Sequence, residues 1–211
     1  MPRILHLFSG TGSLHKPFAE NGWAVSALDI DPRNATIVCD ILEFDYSKEP
    51  VPDVIWAGCP CEQYSCANTR GKRNLALADS LVKRTCEIIA FFLERNCALL
   101  WFVENPFSSL VWRRSVSFPL TPRVTFDACQ YGAFWRKRTC IATNAEWAPR
   151  PLCDPTHCHA CVEKKHVRTA QRGPQKGCVN DTCSLDELHG YPSQLCEEIY
   201  RHCARHVWEI L

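Results

Sequence analysis

Four short apolar runs, at residues 3–8, 23–30, 36–39 and 51–57, each stop on glycine or acidic residues. Residues 9–13 follow the first run, Asp29 and Asp31 close the second, Asp40 follows the third and Gly58 the fourth. Runs this short, apolar throughout rather than alternating, read as strands covered on both faces, which points to a parallel sheet sheathed by helices. In such a sheet the polar residues at the strand ends gather along one edge, where open α/β sheets bind their ligands. Residues 74–94 carry apolar side chains at 77, 81, 82, 88, 89, 92 and 93, a helical period. A further strand over 97–103 is closed by Glu104-Asn105-Pro106. Residues 124–129 and 139–143 read as a β-hairpin with a long loop holding Gly132 and the basic stretch 136–138. The chain returns to helical periodicity over 195–211.

A length of 211 residues suits one α/β domain with a small appendage. The boundary falls where composition shifts: residues 1–148 and 184–211 form the main domain, and 149–183 an insert with five cysteines, four prolines and three histidines. A net charge of +1 supplies no global field toward nucleic acid or anionic membrane, so any nucleic-acid affinity must come from local patches. Fifteen cysteines are an odd count, and no charged and then apolar leader opens the chain. The longest apolar run is far shorter than the roughly 20 residues of a membrane span. The expectation is an intracellular protein in a reducing compartment, where cysteines serve as core residues, metal ligands or a nucleophile.

Gly10-x-Gly12 between a strand and a helix is either a bare tight turn or a loop that cradles a cofactor, and His15 stands where a third glycine would complete the dinucleotide fingerprint. Asp29 at the end of the second strand suits a ribose diol, and Asp40 an adenine amino group. Gly58-Cys59-Pro60-Cys61 leaves two readings open. The CxC spacing is half a metal site or plain packing. Alternatively Cys61, behind the rigid Pro60 and near arginine, is a nucleophile whose thiol is lowered from its usual pKa of about 8.5.

Phe8-Ser9-Gly10-Thr11-Gly12, Asp29-Ile30-Asp31, Pro60-Cys61, Glu104-Asn105-Pro106 and Arg136-Lys137-Arg138 occur in an order and spacing that resemble the cytosine-C5 methyltransferase family. The resemblance spans residues 3–144. Tyr131-Gly132-Ala133-Phe134-Trp135 and Arg168-Thr169-Ala170-Gln171-Arg172 bring it nearest to the compact members of phages and large viruses. It implies a Rossmann-like domain that uses S-adenosylmethionine, held by Phe8, Ser9, Gly10, Thr11, Gly12, Asp29, Ile30, Asp40 and Pro60. It also implies Cys61 as nucleophile, Glu104 as proton donor toward N3, and Arg136 and Arg138 as stabilisers of charge at O2 and of the thiolate. The substrate so implied is a flipped or single-stranded cytosine in DNA. An RNA cytosine methyltransferase, or an inactive relative that binds nucleic acid through its insert, are the alternatives. Glu62 and Pro106 depart from the family's usual Gln and Val, and no Gly-Asn pair precedes the last helix.

In the insert, Cys153, Cys158, Cys161 and His166 supply four soft or borderline ligands in a segment too polar to fold by burial, which predicts a structural zinc. His157, His159, Cys178 and Cys183 are alternative ligands. Residues 136–176 hold nine basic against three acidic side chains, a patch on which phosphates can sit.

Overall fold

The computed structural model describes residues 1–66, 68, 71–114, 122–170 and 184–210. Cys178, Cys183, Arg172 and Lys176 lie outside the described residues. The parallel strands are β1 (Arg3–Leu7), β2 (Ala24–Asp29), β3 (Ile37–Val38), β4 (Val54–Gly58) and β5 (Leu100–Pro106). An antiparallel pair, β6 (Arg123–Asp127) and β7 (Arg138–Thr143), completes one seven-stranded sheet of order β3-β2-β1-β4-β5-β7-β6. The chain runs outward from β1 through β2 to β3, then returns to lay β4 and β5 on the other side. This reversal makes a topological switch point between β1 and β4, and the fold is Rossmann-like α/β.

Helix α1 (Lys16–Glu20) follows β1, and α2 (Leu75–Leu93) joins β4 to β5. Between β7 and the C-terminal helices lies a small antiparallel pair, β8 (Cys161–Val162) and β9 (Lys165–His166). Helices α3 (Leu185–His189) and α4 (Ser193–Ile210) close the chain. One face of the sheet packs Leu5, Leu7, Ile55 and Val103 against Val82, Ile89 and Phe92 of α2. The other packs Ile4, Trp56 and Phe102 against Phe18 of α1 and Leu195, Ile199 and Cys203 of α4. Val54, Ile55 and Trp56 are wholly shielded from solvent. Burial of each such side chain is worth about 1.5–3 kcal/mol, and this explains why β4 is apolar throughout rather than alternating.

The helix over 74–94 begins where Asn74 caps it, its Oδ1 accepting the Leu77 N–H at 3.1 Å. Two element ends differ from expectation. β5 runs through Glu104 and Asn105 to Pro106 because β7 pairs with it there, Glu104 opposite Ile141 and Asn105 opposite Cys140. The expected strand over 124–129 turns at Asp127 into a short 3-10 segment, Ala128–Tyr131. Among the described residues no helix is long and apolar enough to cross a membrane.

Candidate active site and cysteine cluster

The loop after β1 is bent tightly. Gly10 and Gly12 take positive φ of 49° and 73°, and Phe8 does so at 59° despite carrying a side chain. A Cβ on Gly12 would stand 3.2 Å from both Asn34 Cβ and His15 Nε2, so only glycine lets these segments meet. Asp29 ties the loop to the end of β2: its Oδ2 accepts the Gly10 N–H at 2.8 Å and its Oδ1 the Asp31 N–H at 2.9 Å. Each of those oxygens keeps a free lone pair. Beside them Ile30 is 73% exposed, Asp40 is exposed, and the buried Ser9 Oγ has no hydrogen-bond partner. A half-buried carboxylate, an apolar side chain in the open and an orphaned hydroxyl around a glycine turn fit the ribose and base of a nucleoside-containing cofactor.

At the end of β4 the two cysteines of the CxC part company. Cys59 is buried among α2 residues, its Sγ 3.7 Å from Thr85 Oγ1, and burial pushes its thiol up to about 12. Cys61 is half-buried on the strand-end loop. That loop is fastened by Asn105, whose Nδ2 donates to the Cys59 carbonyl at 2.8 Å. Among the described residues neither sulfur belongs to a group of three or more potential metal ligands, so packing accounts for Cys59 and leaves Cys61 by itself.

Glu104 shares this edge. Its Oε2 accepts the Tyr191 hydroxyl at 2.8 Å, while Oε1 is buried without a partner. Burial raises the Glu104 pKa above the ordinary glutamate value. Cys61 is likewise pushed up to about 11, first by burial and then by the negative fields of Glu62 and Glu104. The resting thiol is therefore protonated, contrary to the expectation of a lowered one.

The expected cations are not the ones that face this pair. Lys137 is the cation whose field draws down both Cys61 and Glu104, with its Nζ donating to the Leu188 carbonyl at 2.8 Å. Arg138 instead grips Asp127, Nε and Nη2 meeting its two oxygens at 2.9 and 2.7 Å. The field of Arg136 falls on Asp127 and on His166.

The insert brings Cys153, Cys158 and His166 together as expected, but Cys129 supplies the fourth member of the group. Ligand atoms of these four side chains all lie within 4.8 Å of one another. Cys161 is not one of these four, although its sulfur lies against those of Cys158 and Cys153 and its backbone pairs with His166 in β8–β9. His157 is turned away to Asp154, at 2.8 Å, and His159 to the ring of Phe134. The basic patch is also thinner than its local count: Arg138 is taken by Asp127, Arg150 by Glu198 at 3.0 Å and Arg168 by Glu187 at 3.9 Å.

No family model and no curated protein matches the chain. Among solved structures it is similar to a prophage-encoded protein of E. coli described as a DNA modification methyltransferase, with a TM-score of 0.46 and 16% identity over 68% of this chain and 46% of that one. The S. pombe Dnmt2 methyltransferase gives a TM-score of 0.45 and 14% identity over 79% and 59%. A mutant of Spodoptera frugiperda DNMT2 gives 0.44 and 16% over 73% and 54%. The chain spans about half the length of these structures.

Sequence reasoning missed Lys137, Tyr191 and Cys129. Lys137 stands inside the basic stretch 136–138, where nothing in the sequence sets it apart from its two arginine neighbours. Tyr191 sits between α3 and α4, held by its N–H to Ser13 Oγ at 2.9 Å and by Trp56 Nε1 to its hydroxyl at 3.2 Å, and no local pattern marks it. Cys129 resembled the last apolar residue of a strand.

Proposed function

We propose that the chain transfers the methyl group of S-adenosylmethionine to C5 of a cytosine in DNA through a transient bond between Cys61 Sγ and C6. The observation that carries this reading is the meeting of a solitary, half-buried Cys61 with a buried, proton-favouring Glu104 at the ends of adjacent strands, beside the glycine turn at the switch point. The cofactor, when bound by residues 8–12, Asp29, Ile30, Asp40 and Pro60, supplies an electrophilic methyl group on a sulfonium.

Cytosine C5 is too poor a nucleophile to take that methyl unaided. Addition of Cys61 sulfur to C6 places electron density on C5, and the thiol proton passes to solvent as the S–C6 bond forms. Negative charge develops toward N3, where a protonated Glu104 donates through its unpartnered Oε1, Tyr191 holding the other oxygen. C5 then takes the methyl as the methyl–sulfonium bond breaks. Loss of the C5 proton to solvent returns the electron pair and expels the Cys61 thiolate, while N3 gives its proton back to Glu104. Lys137 lowers the cost of the Cys61 thiolate. The base must stand outside a duplex stack to be reached.

Incubation with S-adenosylmethionine labelled in its methyl group, with DNA and RNA in separate reactions, tests this reading. Label in 5-methylcytosine of DNA is the expected result. Label in RNA alone would transfer the reading to that polymer, since none of these side chains reads the sugar. No label in either, with Cys61 intact, would leave a binding protein. Where 5-fluorocytosine replaces cytosine, a denaturation-resistant adduct should form through Cys61, because no C5 proton remains to be lost.

A further inference from the structure

Three separate parts of the chain converge on the cysteine cluster. Cys129 comes from the 3-10 segment Ala128–Tyr131 after β6, Cys153 and Cys158 from the start of the insert, and His166 from β9. His166 Nε2 lies 3.5 Å from Cys153 Sγ and 3.6 Å from Cys158 Sγ. In a zinc tetrahedron with its usual bond lengths, sulfur and nitrogen corners stand about 3.6 Å apart. Apolar packing does not explain the convergence, because Leu152, Val162 and Val167 are 46%, 64% and 37% exposed while thiols occupy the interior. The β8–β9 turn is costly by itself: Glu163 and Lys164 both take positive φ, 50° and 62°, where glycine or asparagine is preferred. Something other than local preference holds it.

We infer that Cys129, Cys153, Cys158 and His166 bind one structural zinc ion that sews the insert to the sheet. Three thiolates and an imidazole in a closed tetrahedral set select zinc over harder divalent ions and leave no open position for catalysis. Binding displaces the thiol protons to solvent and involves no redox step. Cys161, although in the compact run of ligands that the sequence offers, is outside the coordination. The seam it fastens continues into the sheet: wholly buried Asp127 accepts the Cys153 N–H at 3.0 Å and hydrogen bonds from Nε and Nη2 of Arg138. The ion thus anchors the strand pair that leads into Lys137. The site stands independently of the methyl-transfer reading.

The experiment is metal analysis of the full-length chain purified from zinc-replete medium, with cobalt exchanged for zinc as a spectroscopic probe. About one equivalent of zinc is expected, and the cobalt form should show thiolate charge-transfer absorption and the visible bands of a tetrahedral ion. Cys129→Ser should lose the metal and Cys161→Ser should keep it. Should Cys129→Ser fail to fold, His166→Cys serves instead: it should retain zinc, and its cobalt form should gain charge-transfer intensity from one more thiolate. Well-folded wild-type protein with only a trace of transition metal would overturn the site. Metal lost in Cys161→Ser and kept in Cys129→Ser, or a His166→Cys spectrum unchanged from wild type, would overturn the ligand set.

Discussion

Val54, Ile55 and Trp56 in the parallel half of the sheet are sealed from solvent, whereas Leu152, Val162 and Val167 of the insert face it. Cysteine follows the opposite order. In the parallel half, Cys59 and Cys86 act as small apolar residues, each pushed up to about 12 by burial, and Cys61 stands alone at the strand end. In the insert, sulfurs face one another across an imidazole. The same residue type is packed in the core, left alone at a strand end or clustered with others according to what surrounds it, and sequence spacing is a poor guide to which.

That contrast can be broken most sharply at Cys61. Cys61→Ser should abolish methyl transfer by about 10⁴-fold or more, since a serine hydroxyl cannot replace the thiol as nucleophile. Its zinc content and cofactor affinity should stay near wild type by metal analysis and calorimetry. Cys59→Ser should keep transfer and lose only about 1–3 kcal/mol of stability in denaturant titration, the cost of a buried hydroxyl. Equal loss of activity in the two variants would erase the distinction between them.

Glu104→Gln should slow transfer by roughly 10²–10⁴-fold, the usual worth of a positioned acid. It also has a pH signature in stability. Burial raises the folded-state pKa of Glu104 above the ordinary 4.5. Its neutral form therefore favours the fold fully below that value, and the advantage is lost as pH rises through the higher folded-state pKa. Thermal melts at a series of pH values should show Glu104→Gln gaining on wild type as pH climbs above 4.5. A constant difference would mean that the carboxyl is not desolvated.

Lys137→Met sharpens the comparison from the other side, because it removes the cation that opposes burial at Cys61 and Glu104. Transfer should fall by about tenfold at neutral pH, and the limb that rises as the Cys61 thiol ionises should move to higher pH. Arg136→Met should leave that profile in place. The smallest effect is expected of Tyr191→Phe, a few-fold in rate. Its hydroxyl lowers the Glu104 pKa, so its loss should move the limb on which rate falls as Glu104 deprotonates to higher pH.

The strand ends were legible because a buried strand must stop where polar residues begin, and Gly10, Asp29, Gly58 and Glu104 all fall at such stops. Cys61 was legible for the same reason. The basic patch was overcounted because a local charge count ignores partners that arrive from elsewhere, as Asp127 does for Arg138 and Glu198 for Arg150. Cys129 was hidden by distance along the chain. Its neighbour Asp127 fixes where it lands, and that geometry exists only once β6 and β7 have paired.

Gly58 and Tyr191, far apart in sequence, answer to each other in the fold. A Cβ on Gly58 would lie 2.7 Å from the Tyr191 hydroxyl, so a side chain at either position is conditional on the other. An alanine at 58 should therefore be accepted only where the residue at 191 has surrendered its hydroxyl, and the two changes together should cost less than the sum of each alone. Descendants of this sequence are constrained to drift at these two sites in step, with Glu104 giving up its tyrosine partner whenever they do.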